Sequence, residues 1–137
     1  MPDMIHVLAD QLSTLAKSVR HHETITNAVF EGNPDGLVVV NELGTIVMVN
    51  ESFEKMTGYG RKDLIGKPVE ILVPEGSRER HVMHRLSYLI KPTARQMNGA
   101  FTIQTADGGA LPVMVGLYPA GSNGDRWVVV TVRGRLG

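Results

Sequence analysis

The chain has no cysteine and only one tryptophan, three tyrosines and three phenylalanines. Any mechanism that needs a thiol is closed to it, and the absence suits a reducing compartment. Neither charge is in excess, since 14 Lys and Arg residues balance 14 Asp and Glu. Nucleic acid is therefore not expected as the main partner, because phosphate binding calls for a basic excess or stripe. No apolar run approaches the length of a membrane span. The start, Met1-Pro2-Asp3-Met4, lacks the basic and apolar regions of a signal peptide. A cytoplasmic location without membrane contact is the expectation. What is present is 137 residues at 42% hydrophobic content, enough for one folded domain with a real core.

Residues 3–30 read as one helix, with Asp3 placed to cap its start. Ile5, Leu8, Leu12, Leu15 and Val19 fall at alternating steps of three and four, and His22, Thr26 and Val29 continue the register. That spacing draws one narrow stripe, the seam of a short coiled coil or a face packed on the chain's own domain. A homodimer held by this stripe is expected, with residues 1–32 as a dimerisation helix and 33–137 as the domain body. Asn33-Pro34-Asp35-Gly36 breaks the helix.

Residues 37–40 and 45–49 are apolar and largely β-branched, and read as a hairpin. Residues 51–73 read as short helical turns punctuated by Gly58, Gly60, Gly66 and Pro68. Residues 77–90 form a longer helix that Pro92 stops. Strands follow at 100–105, 111–118 and 126–133. In the middle one Leu111, Val113, Val115 and Leu117 alternate with Pro112, Met114, Gly116 and Tyr118, so the first set should line the interior. Pro112 suggests an edge strand or the start of pairing. The order predicts an α+β fold, a five-stranded antiparallel sheet covered by short helices on one face.

No catalytic set emerges. There is no nucleophile elbow and no glycine-rich phosphate loop between a strand and a helix. His21-His22-Glu23 lacks the context of a phospho-acceptor histidine. His81 and His84 share a helix face, but two ligands leave a metal site incomplete. The chain is not expected to be an enzyme.

Residues 49–72 are the most informative run. Asn50, Phe53, Thr57-Gly58-Tyr59 and Leu64-Ile65-Gly66 stand there at fixed spacings. The run resembles the signature of PAS domains, the small sensory and dimerisation modules of signalling proteins. Asp107-Gly108 followed by Leu111-Pro112-Val113 is a second such likeness, and the resemblance covers residues 29–133. It implies the PAS fold and a small-molecule pocket between the sheet and the helical layer, with Val113, Val115, Leu117 and Tyr88 as candidates to line it. It also implies a partner or output domain, such as that of a histidine kinase. The other reading of the same likeness is a ligand-free interaction module.

Two branches of the family attach their chromophore through a cysteine, and neither chemistry is open here. Haem-bearing branches ligate iron through a His seven residues after the Pro of a Leu-hydrophobic-Pro motif. Here Leu72-Val73-Pro74 leads to His81, and Met97 falls near the place of a second axial ligand. Imidazole with thioether is sound haem ligation. The sequence departs from those branches at His84 and Arg85, where apolar residues wall the porphyrin. Val82, Met83, Leu86, Leu89 and Ile90 cluster on the opposite side of the helical wheel from His81. Core packing of that cluster is the first expectation, which turns His81 to water. The second is an outward surface for self-association, with the histidines turned in.

Overall fold

In a computed structural model, residues 3–122 and 124–135 are described. The chain divides into two units, Met1–Gly32 and Asn33–Gly137. The first is a single helix, α1 (Met4–Gly32), in which no residue is buried. Asp3 opens it by accepting the Ile5 N–H at 3.0 Å. No described helix is long and apolar enough to cross a membrane.

The second unit begins with β1 (Gly36–Asn41) and β2 (Ile46–Val49), an antiparallel hairpin of apolar, mostly β-branched residues. Short helices α2 (Glu51–Thr57) and α3 (Arg61–Leu64) follow. Asn50 caps α2 by accepting the Phe53 N–H, and Gly58 ends it in the left-handed conformation (φ +79°). Two 3₁₀ turns, Val69–Leu72 and Glu75–Ser77, lead into α4 (Arg78–Ile90). The strands β3 (Arg95–Gln96), β4 (Phe101–Gln104), β5 (Ala110–Ser122) and β6 (Asp125–Gly134) complete one antiparallel sheet.

The sheet order is β2-β1-β6-β5-β3, with β4 also on β5. Six strands stand where five are expected, because one edge is broken in two. β3 pairs with β5 at Leu117 and Gly116, whereas β4 pairs with it from Val113 to Ala110. Gly99, at φ +120°, lies in the break. Pro112 is not on an edge strand, since β5 runs between β4 and β6. It sits at the very start of the β5–β6 pairing, where its carbonyl still accepts the Arg135 N–H at 3.0 Å and only the return bond is missing. The last hairpin passes through Gly121 (φ +85°) and Gly124 (φ +84°), while Asn123 lies outside the described residues.

One face of the sheet holds the core. Val38, Val49 and Val113 meet Ile46, Phe53 and Leu64, all essentially inaccessible to water. The alternation of β5 follows the expected faces from Pro112 to Val115 and at Tyr118: Val113 is fully buried and Val115 partly so, while Met114 and Tyr118 are exposed. Gly116, expected to face out, is buried, with the Thr131, Tyr118 and Gln96 side chains close over it.

The apolar cluster of α4 is not core. Met83 is 66% exposed and Ile90 85% exposed, and Leu86 is exposed as well. The helix turns His81 and Arg85 toward the domain instead. The physical reason is a buried acid on the neighbouring 3₁₀ turn.

Candidate functional site

That acid is Glu70, only 9% exposed. A carboxylate so placed needs donors. His81 Nδ1 lies 2.7 Å from Glu70 Oε2, so this nitrogen carries the proton and donates. Arg85 adds Nε to Oε2 at 3.2 Å and a longer contact of 3.5 Å to Oε1. His81 and Arg85 are four apart and share a helix face, which lets one acid fasten two turns of α4. Arg85 reaches Glu70 across Gly44. The backbone there stands at φ +82°, which favours glycine, and a Cβ would have to push the Arg85 guanidinium aside. The 3₁₀ turn and α4 are thereby joined through one carboxylate, and the β1–β2 turn is tied to the same 3₁₀ turn by the Val69 N–H, which donates to Gly44 O at 2.9 Å. Glu70 carried no local signal in the sequence, since its partners come from residues 11 and 15 positions away.

The candidate pocket residues separate. Val113 and Val115 belong to the apolar cluster beneath the sheet, with Ile103, Leu72 and Phe53. Leu117 is partly buried opposite Arg95 of β3 and is not in that cluster. Tyr88 lies elsewhere, in a surface hollow of about 270 Å³ lined also by His84, Ser87, Lys91, Thr93 and Arg95. Its hydroxyl donates to Thr93 O at 2.7 Å, and Arg95 Cζ stands 5.5 Å from its ring centre. Burial pushes the Tyr88 hydroxyl above its ordinary value, against the pull of Arg95. It is a neutral donor at neutral pH.

His81 and Met97 form a chemically competent donor pair for haem, but the surroundings of His81 do not fit a porphyrin. Its Nδ1 donates to Glu70, which leaves Nε2 as the nitrogen able to ligate, so the misfit lies in what surrounds the ring. Arg85, one turn on, lays a guanidinium against Glu70 and Gly44 where an apolar wall is needed. Met97 is partly buried just after β3, its N–H donating to Val115 O at 2.8 Å. Among the described residues, no group of three His, Cys, Asp or Glu side chains is placed to hold a metal ion.

The five seam residues of α1 are all exposed, from Val19 at 47% to Ile5 at 75%.

Comparison with known proteins agrees with the fold. The chain is 25% identical over 126 residues to the sensor protein FixL of Bradyrhizobium diazoefficiens, which covers 90% of the chain and 25% of that protein. It is 26% identical over 72 residues to the signal transduction histidine-protein kinase AtoS of Escherichia coli, 53% of the chain and 12% of the kinase. The chain thus spans a quarter or less of either relative. Among solved structures, the PAS domain of an HTR-like protein from Haloarcula marismortui superposes with a TM-score of 0.73 at 21% identity, covering 90% of this chain and 99% of that one. Residues 24–136 match the family model described as the PAS fold, and the chain belongs to that family.

Proposed function

We propose that this chain is the sensory and dimerising domain of a larger cytoplasmic signalling protein. Two copies associate through Ile5, Leu8, Leu12, Leu15 and Val19 of α1. A small ligand is received behind Val113 and Val115, with Leu117 at the margin. The change is passed to an output domain such as a histidine kinase. The observation that carries this reading is the exposed apolar seam, on a chain whose relatives FixL and AtoS are much longer sensor and kinase proteins. The domain itself supplies regulation and no catalysis.

The purified protein should release a small molecule, identified by mass spectrometry of a denatured extract, and Val115→Asp should lose it. Colourless preparations without any such compound would remove the ligand and leave a dimerising interaction module. Haem is tested in the same preparation. Haemin uptake should be unaffected by His81→Ala, because the Arg85 guanidinium stands where a porphyrin needs an apolar wall. A strong Soret band that His81→Ala abolishes would instead restore haem as the ligand.

A further inference from the structure

The hollow around Tyr88 is a separate matter, independent of both the interior ligand and the dimer. Arg61, Arg78, Arg85, Arg126 and Arg133 are each matched to an oxygen acceptor within the domain. Arg95 is not. Among the described residues no acceptor reaches its guanidinium, which is held over the Tyr88 ring. A distance of 5.5 Å is within the reach of a cation–π contact. The arrangement is fixed from both sides. The Arg95 backbone is paired with Leu117 in the sheet, and the Tyr88 ring is anchored through its hydroxyl on Thr93 O.

Around that fork the hollow offers only donors or neutral groups. His84, Ser87, Tyr88 and Lys91 follow one another at three- and four-residue spacing or side by side, on one face of the end of α4. No carboxylate lines the space. The end of a helix normally repels anions through its free carbonyls. Here two of those carbonyls are occupied: Leu89 O accepts from Arg126 Nη1 at 3.0 Å, and Tyr88 O accepts from the Lys91 N–H at 3.2 Å. At about 270 Å³ the space falls just under the usual range for drug-sized ligands, so it suits a small molecule or one end of a larger one.

We propose that this hollow binds the oxyanion group of a small molecule, a carboxylate or a phosphate, gripped by the Arg95 fork and Lys91. A guanidinium whose N–H groups are not spent on an acceptor within the domain can grip an oxyanion by planar bidentate recognition.

The experiment titrates the full chain with succinate and, separately, with inorganic phosphate, following backbone amides by NMR at physiological ionic strength. Saturable shifts confined to residues 84–95 are expected with at least one probe. Arg95→Gln should weaken binding at least about tenfold, the loss of one charge-assisted pair, and Lys91→Gln should weaken it less. Both side chains are exposed, so neither change should disturb the fold. Arg80→Gln, an exposed control on α4, should have no effect. Shifts with succinate alone assign a carboxylate, shifts with phosphate alone assign a phosphate group, and shifts with both assign a general oxyanion site. Absence of saturable shifts with either probe, or shifts that survive Arg95→Gln, would overturn the proposal.

Discussion

Asn50 is fully buried, yet its side chain is placed to satisfy the backbone on three sides. Oδ1 accepts the Leu37 N–H at 2.9 Å and the Phe53 N–H at 3.0 Å, while Nδ2 donates to Asp35 O at 2.9 Å. One side chain thus starts β1, caps α2 and holds the approach to the hairpin. Asn50→Ala would strand these groups away from water, at about 1–3 kcal/mol for each buried group left unpaired. A loss of several kcal/mol in urea unfolding is expected, and a loss below about 1 kcal/mol would refute this role. Asp107 offers a pH test at the same scale. Its carboxylate accepts from the Thr105 hydroxyl and from the Gly109 N–H, and these bonds, the hydroxyl first, hold its pKa below the ordinary value. A depressed folded pKa gives stability that is present above the unfolded value, about 3.9, and lost as pH falls through the folded one. Melting temperatures of Asp107→Ala and the parent should therefore differ above about pH 5 and converge in stronger acid. A gap that stays constant through that range would count against the linkage.

At the level of elements, β5 and α4 show what sequence pattern can and cannot reveal. The alternation of Val113 and Val115 with Pro112 and Met114 is local, so the buried face of β5 was legible there, although Gly116 on the other face is covered as well. Val113→Asp places a charge in a fully enclosed site and should cost more than about 4 kcal/mol or prevent folding. Met114, 49% exposed, should accept Asp at a cost below about 1 kcal/mol. Similar melting temperatures for the two variants would contradict the faces. On α4 the same logic pointed the wrong way. A helical wheel counts apolar residues, and there the stripe of Met83, Leu86 and Ile90 outweighed His81 and Arg85. What decided the orientation was Glu70, a buried acid on another element that had to be paired. Nothing in the spacing of residues 77–90 announces such a partner. The short β3 was missed for a related reason, since Arg95 and Gln96 have no apolar alternation and are ordered only by the β5 backbone.

For the whole molecule, the open question is what covers α1. It runs for 29 residues without burying one, and an isolated helix draws little stability from itself in water. Its seam is apolar from Ile5 to Val19 and weakens at His22 and Thr26, so the pairing energy is concentrated in the first half. Each leucine buried between two copies contributes roughly 1.5–3 kcal/mol relative to exposure. Replacing Leu12 and Leu15 together by Asp removes four such side chains from a symmetric dimer and brings four like charges together in the seam. The double variant should therefore run as a monomer in light scattering where the parent runs as a dimer. Its PAS body should keep its melting transition, because the core beneath the sheet draws on residues 38–132 alone. The helical signal in circular dichroism should fall at the same time, since α1 without a partner frays. A double variant that stays dimeric would place the association surface elsewhere, and the exposed apolar face of α4 would be the next to test.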